Sequence, residues 1–296
     1  MVQQTPQLLA AQAVCLAAAL LSFSVTSLTG LASTVDRLWS IIPVVFAAIL
    51  SSNTKDVRAL TMTACICLWG VRLTLNFHRK GGYNAGEEDY RWAVLRQKIP
   101  NKILWTLFSF SFISMYQMLL LLLITIPVYI ASLAPVDWMW TDSVFFGLAI
   151  VALCGETLAD QQQWDFQSEK HRLLKKSTLT KLPMPYCVGF LQDGLWQYSR
   201  HPNFFCEQAF WWCMAGMAIA PATSGSLPIS HALLWTFLGA FLLTVLFIGS
   251  AEFSESISLK KYPLYSVYQH RVSRLLPWFA GVNVTNKDKP LNVPKE

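Results

Sequence analysis

The chain has 296 residues, of which 54% are hydrophobic and only 14% are charged, with a formal net charge of +6. Long apolar runs with this little charge argue against a soluble enzyme and predict an all-α, polytopic integral membrane protein. The basic excess lies in loops, where anionic lipid or a phosphorylated cofactor explains it and nucleic acid is not needed.

Hydrophobic run length predicts about seven transmembrane helices. The first has no Lys or Arg ahead of its apolar run, so we interpret it as a true span and not as a cleaved signal peptide. The second is short and is interrupted by Pro43. The predicted spans lie near residues 8–28, 38–52, 57–77, 103–131, 143–160, 204–222 and 232–251.

Charge placement predicts the orientation of these spans. Lys55 and Arg58 fall on one side and the remaining 21 of the 23 Lys and Arg residues on the other. The basic side should be cytoplasmic and should carry the C-terminus, with the endoplasmic reticulum as the expected membrane in a eukaryotic host. The long polar segments share this side and are expected to cap a site on the helix bundle; they are residues 78–102, 160–203 and 252–296.

No repeat or linker divides the chain, which predicts one transmembrane domain over residues 1–278 and a flexible cytoplasmic tail over 279–296. The seven cysteines match no zinc or disulfide framework, so we expect them to be packing residues. Neither a metal site nor an obligate protein partner is expected.

The first dense polar segment, residues 72–92, follows the third span. Glu87 and Arg91 are spaced i, i+4, as in an ordinary solvated interfacial helix that needs no ligand. Asn76, Arg79 and Tyr83 lie at or just past the membrane edge and are more suggestive of a binding site.

A polar stripe follows on the fifth span. Glu156, Asp160, Gln163 and Gln167 have offsets of 0, 4, 7 and 11 residues, which places them within about 40° of one another on a helix. A helix leaving the bilayer accounts for the two glutamines. It accounts poorly for the two carboxylates, because ionisable groups inside a membrane are costly and usually functional.

The most informative segment is residues 194–207, G-L-W-Q-Y-S-R-H-P-N-F-F-C-E. Its proline suits the first turn of a helix, on which Asn203 and Glu207 share a face. Arg200 and His201 would lie at headgroup level, and the helix start together with Arg200 predicts a phosphate or pyrophosphate site. Alternatively, the two basic residues anchor the helix and Asn203 with Glu207 forms a buried pair.

The last span ends in E-S-I-S-L-K-K-Y-P-L-Y-S-V-Y-Q, with tyrosines at 262, 265 and 268. Tyrosines at this level commonly form an interfacial belt. This segment follows the pattern E-S-x-S-x-x-K-Y-P-x-Y-x-x-Y-Q, and A-D-Q-Q-Q-W-D-F-Q matches A-D-x-Q-x-x-x-F. With the R-H-P-N segment, they resemble the steroid 5-alpha-reductase superfamily over residues 65–278. The resemblance is greatest to its branch of uncharacterised membrane proteins that share the C-terminal reductase domain.

Members of that superfamily are seven-helix membrane enzymes that use NADPH to reduce an activated carbon–carbon double bond in a steroid, sterol or polyprenol-like lipid. The resemblance implies that Arg79 and Arg200 meet phosphate and that Asn203 and Glu207 meet the nicotinamide end. Asn76, which replaces a tyrosine, and Tyr83 are the implied catalytic hydrogen-bond donors. The implied cofactor contacts are Arg79, Asp160, Tyr198, Arg200, His201, Asn203, Glu207 and Tyr268.

Two other functions remain open. Membrane methyltransferases of the isoprenylcysteine or phospholipid type also carry R-H-P-x-Y followed by a glutamate or tryptophan, and they bind S-adenosylmethionine. A non-catalytic lipid-binding protein would hold lipid and no nucleotide. The A-D-x-Q stripe, the G-G-Y-N-A-G-E-E-D-Y-R segment and the Y-P-x-Y-x-x-Y-Q ending favour the reductase.

Overall fold

The computed structural model describes residues 5–224 and 228–291, and within them it contains helices and turns but no strand. This confirms the prediction of an all-α membrane protein. A π-helical stretch, Ser109–Tyr116, joins the sixth and seventh helices. The helices are α1 (Pro6–Thr29), α2 (Thr34–Trp39), α3 (Ile42–Leu50), α4 (Val57–Arg79), α5 (Tyr90–Lys98), α6 (Lys102–Phe108), α7 (Gln117–Leu133), α8 (Trp140–Leu174), α9 (Pro202–Met217), α10 (Ile219–Ser224), α11 (Ile229–Lys261) and α12 (Tyr265–Arg271).

In the described part of the chain, five helical stretches are long and apolar enough to cross a membrane. The second predicted span is divided into α2 and α3, of 6 and 9 residues. The sixth is divided into α9 and α10, of 16 and 6 residues. A crossing helix needs about 20 residues, so the predicted count of seven spans stays a prediction. The five are Pro6–Thr29, Val57–Arg79, Lys102–Leu133, Trp140–Leu174 and Ile229–Lys261.

Local side-chain caps fix where several helices begin. The Thr5 hydroxyl accepts the Leu8 N–H at 3.3 Å at the start of α1, and the Asp56 carboxylate accepts the Ala59 N–H at 2.8 Å at the start of α4. Helix α1 ends at Gly30, whose φ of 74° is a left-handed conformation that favours glycine. These caps satisfy backbone groups that a helix end leaves unpaired.

The chain divides into two compact units, residues 1–150 with 211–243, and residues 151–210 with 244–296. In the first unit, α3 packs against α1, α4 and α7. One small cavity in this unit is lined by residues that include Thr5, Asn53 and Leu133. These three residues, from three helix ends, therefore lie close together at one end of the unit. Arg37 lies instead beside the loop after α4, because its guanidinium donates to the Gly82 carbonyl at 3.1 Å. The expectation of a single domain over residues 1–278 stays a prediction.

Helices α7 and α11 approach closely in the first unit at Gly239. A Cβ built there would lie 2.4 Å from the Leu123 carbonyl carbon, whereas one built at Gly249 meets nothing within 4 Å. We therefore expect Gly239→Ala to lower the free energy of unfolding by about 1–3 kcal/mol, since it forces two backbones apart. Gly249→Ala, on the same helix, should raise it by up to about 1 kcal/mol through helix propensity.

Denaturation of the two variants in detergent measures both effects. Equal effects of the two substitutions would contradict close packing at Gly239.

Candidate functional site

Three predicted site residues belong to the first unit. Asn76 is buried on α4, and its side-chain oxygen accepts a hydrogen bond from Arg79 Nε at 2.9 Å. The ring of Tyr83 lies edge-on to Phe77, with centroids 5.1 Å apart, and its hydroxyl donates to the Arg37 carbonyl at 3.3 Å. Asn76 and Arg79 are thus brought together, and the catalytic roles of Asn76 and Tyr83 stay predictions.

The remaining polar residues of this loop hold it against residues 30–37. The indole of Trp92 donates to Asp36 at 2.8 Å, and Glu88 accepts the Ala32 N–H at 2.6 Å. Burial raises the pKa of Asp36 above its usual value, although the hydrogen bond from Trp92 opposes that shift. These contacts account for much of the loop's polarity without a ligand. The helix begins only at Tyr90, so Glu87 lies before it, and Arg91 Nε donates to Asp89 at 2.9 Å. The predicted i, i+4 spacing of Glu87 and Arg91 on this helix is therefore wrong.

In the second unit, Arg200 is held by the carboxylate of Glu255, which lies on α11. Arg200 Nε donates to one Glu255 oxygen at 2.6 Å and Nη2 donates to the other at 3.1 Å. Nη1 donates to the carbonyl oxygens of Gln269 and Val272. Both charged side chains are buried, with 7% and 2% exposed. The result is a two-point ion pair of the kind that fixes geometry as well as charge.

The same carboxylate also contacts other groups. His201 Nε2 lies 3.1 Å from one Glu255 oxygen, and Gln269 Nε2 donates to the other at 2.8 Å. Arg274 Nε approaches to 3.5 Å. Glu255 was not among the predicted site residues. Glu255 is the first residue of the E-S-x-S-x-x-K-Y-P-x-Y-x-x-Y-Q segment, and this is the signal that could have identified it.

These contacts use four of the five N–H groups of Arg200. A phosphate would therefore have to share the guanidinium with Glu255. The geometry favours a positioning role for Arg200 at the start of α9, and its predicted contact with phosphate stays a prediction.

A second polar group of the same unit lies on α8 and α9. Asn203 Nδ2 donates to Asp160 Oδ1 at 3.4 Å. The carboxylates of the group are almost fully buried, with exposed fractions of 5% for Asp160, 2% for Glu156 and 7% for Glu207. The sequence allowed a buried pair between Asn203 and Glu207. In the structure the Asn203 amide instead contacts Asp160.

The two helices approach closely one turn away from this contact. A Cβ at Gly155 would lie 2.9 Å from Cys206 Sγ, so a glycine on α8 makes room for the side chain on α9. The absence of a side chain at Gly155 therefore permits this close approach of α8 and α9.

The Asn203–Asp160 contact also orients the asparagine amide. The NH₂ group donates to Asp160, so Oδ1 points away from it. Oδ1 is buried and has no hydrogen-bond partner among residues 5–224 and 228–291. The same holds, within these residues, for the side-chain oxygen of Gln163, one turn after Asp160 on α8. Two buried acceptors suit a ligand that donates from an amide or a hydroxyl group.

The two predicted tyrosines differ in their surroundings. Tyr198 is 39% exposed, and its carbonyl accepts the Trp278 N–H at 3.1 Å. Tyr268 is 2% exposed, and its hydroxyl donates to the Trp196 carbonyl. Burial raises the pKa of Tyr268 well above its usual value, so this hydroxyl stays neutral. Tyr268 therefore packs as a core residue, and the cofactor contacts predicted for both tyrosines stay predictions.

Comparison with known proteins identifies similar sequences but no assigned activity. A family model described as a protein of unknown function (DUF1295) matches residues 22–272. The chain is 37% identical over 263 residues to the uncharacterized protein C594.04c of Schizosaccharomyces pombe, covering 84% of this chain and 73% of that protein. No solved structure matches.

Proposed function

Because this chain belongs to the DUF1295 family, a steroid 5-alpha-reductase-like branch without an established activity, we propose that it is an NADPH-dependent reductase. Its substrate would be a steroid, sterol or other isoprenoid-like lipid with an activated carbon–carbon double bond. The observation that carries the proposal is the oriented Asn203 amide, which holds a buried, unsatisfied acceptor beside Asp160.

The donor and acceptor groups of this site fit a nicotinamide nucleotide. The carboxamide NH₂ of nicotinamide would donate to Asn203 Oδ1, and a ribose hydroxyl would donate to the oxygen of Gln163. Arg79 is proposed for a phosphate group, as the family resemblance implies. When bound, NADPH supplies a hydride to the reaction.

The chain's own residues must then handle the proton and exclude water. Asn76 or Tyr83 would polarise the conjugated carbonyl of the lipid by donating a hydrogen bond. With NADPH bound, the β-carbon of the lipid would gain a hydride and its α-carbon would gain a proton that comes from solvent, which would leave NADP⁺ and the saturated carbonyl compound. A dry, apolar environment would suit this step.

One observation favours a second candidate, an S-adenosylmethionine-dependent methyltransferase. Glu156, Asp160 and Glu207 are three buried carboxyl groups on α8 and α9 of the second unit. A carboxylate-rich site favours a cationic sulfonium over an anionic nucleotide. The two cofactors therefore have to be compared directly.

Ligand-induced thermal stabilisation of the purified protein tests the proposal. NADPH at 100 times its dissociation constant should stabilise the native state by about 2.7 kcal/mol. Asn203→Ala and Glu207→Ala should lose this stabilisation, measured relative to each variant without ligand. Glu252→Ala provides the control, because Glu252 is exposed on α11 and should leave it unchanged.

Stabilisation by S-adenosylmethionine and not by NADPH would replace the reductase with the methyltransferase. Stabilisation by neither ligand would favour a non-catalytic lipid-binding protein.

A further inference from the structure

The 276–282 segment, which follows α12, exposes an unusual amount of apolar side chain. Trp278 is 70% exposed and Phe279 is 80% exposed. Leu276 and Val282 are 67% and 77% exposed. The two aromatic rings meet edge to face, with centroids 5.5 Å apart. Four large apolar side chains within seven residues form a patch that water solvates poorly.

The backbone of this segment is held in place. The Trp278 N–H donates to the Tyr198 carbonyl at 3.1 Å, and the Gly281 N–H donates to the Gln197 carbonyl at 2.8 Å. The Ser199 hydroxyl donates to the Leu275 carbonyl at 2.8 Å. The segment is therefore fixed beside the residues that lead into α9, and the exposed rings are presented by an anchored backbone.

The contacts continue into the stretch that composition predicted to be a flexible tail. Val284 is fully buried, and its N–H and carbonyl bond the Gln192 side chain at 2.6 and 2.8 Å. The Arg271 guanidinium donates to Asp288 at 2.6 Å and lowers the pKa of that carboxyl to about 2. Residues 292–296 of the predicted tail lie outside the described residues.

The charges around the patch are mainly basic. Between residues 271 and 291 the sequence has four Lys and Arg residues, Arg271, Arg274, Lys287 and Lys289, and one acidic residue, Asp288, a difference of +3. The Asp288 carboxylate is bonded to Arg271. Lys287 and Lys289 are exposed. Aromatic side chains flanked by Lys and Arg are the combination that binds the interface of an anionic bilayer.

We propose that the 276–282 segment inserts its aromatic and aliphatic side chains into the headgroup region of the bilayer that the helices cross. The ligand class is anionic phospholipid. The segment would fix the start of α9, with Arg200 and Asn203, at a defined depth through the hydrogen bonds to residues 197–199. This proposal does not depend on the reductase function.

Photocrosslinking tests it on the full chain. The protein with Phe279→p-benzoylphenylalanine is reconstituted in vesicles of phosphatidylcholine and phosphatidylserine and irradiated. The mass of the intact protein is then measured by mass spectrometry. The control is Arg172→p-benzoylphenylalanine. Arg172 is 60% exposed near the end of α8, whose 35 residues extend about 52 Å, well beyond a hydrocarbon core of about 30 Å.

The expected result is a phospholipid adduct several-fold more abundant at position 279 than at position 172, with phosphatidylserine enriched over its share of the vesicle. Trp278→p-benzoylphenylalanine gives a second reading at the neighbouring position. A protein–protein adduct at 279 would overturn the proposal and make a second copy the occupant. Equal lipid adducts at 279 and 172, or none at either, would also overturn it.

Discussion

Replacing Glu255 by alanine is expected to lower the free energy of unfolding by about 3–5 kcal/mol. The substitution leaves the Arg200 guanidinium buried without its carboxylate, and it removes an acceptor for His201 and Gln269. A buried charge that loses its partner is strongly destabilising because water cannot replace the lost interaction. Chemical denaturation of the purified protein measures the change.

Two other variants serve as comparisons for the alanine substitution at position 255. Glu255→Gln keeps the volume and an acceptor oxygen, so we expect a smaller loss than with alanine. Glu252→Ala removes an exposed carboxylate three residues earlier on α11 and should change the free energy of unfolding by no more than about 0.5 kcal/mol. If the alanine variants at 255 and 252 unfold alike, Glu255 does not hold the start of α9.

Replacing Arg58 by methionine is expected to have a comparably large effect on the first unit. Arg58 donates to both oxygens of Asp142, at 2.8 and 2.6 Å, and to the carbonyls of Val136 and Asp137, at 3.0 and 2.9 Å. Arg58→Met would leave the Asp142 carboxylate buried and would release the loop between α7 and α8. The expected loss is again about 3–5 kcal/mol.

A double-mutant cycle tests whether the loss of stability comes from the interaction between Arg58 and Asp142. Replacing both residues, Arg58→Met with Asp142→Leu, should recover much of the loss, because a buried ion pair is often replaceable by apolar side chains. Full recovery is not expected, since the loop carbonyls lose their donor. Lys55→Met, at an exposed position before α4, is the control. Additive single effects would show that the two residues are not coupled.

These pairs illustrate what hydropathy and spacing could not predict. In the sequence, Arg58 is distinguished only as a charge on the less basic side of the membrane, and its partner Asp142 lies 84 residues later. Glu255 and Arg200 are 55 residues apart. The spacing of residues along one helix shows which of them share a face. It does not show which residues of another helix pack against that face.

The fold class and the grouping of motifs were more predictable. Placing Asp160 on a polar stripe of one helix and Asn203 on a face of the next long helix relied only on helical periodicity. Their contact depends in addition on the close approach of Gly155 and Cys206, which no periodicity specifies. A hydropathy window averages over many residues and does not detect a short break in a helix, such as the one at Ala218. The hydropathy pattern therefore predicts one span where the structure has α9 and α10.

The prediction for residues 279–296 relied on composition alone. Lys, Asp, Asn and Pro in this stretch are typical of a disordered end. Composition cannot show that Val284 is buried or that its backbone makes two hydrogen bonds with the Gln192 side chain. Such contacts depend on the tertiary position of a distant loop.

The most direct test of the proposed reductase follows deuterium from the C4 position of NADPH into an enone lipid. Purified protein in bilayers is given each of the two C4-deuterated forms in turn, with a panel of steroid, sterol and polyprenol-like enones. Our account predicts a saturated product with one deuterium at the β-carbon from one of the two forms, and no labelled product with Asn203→Ala. Methyl transfer from S-adenosylmethionine to a lipid, with no deuterium transfer to any enone, would contradict it.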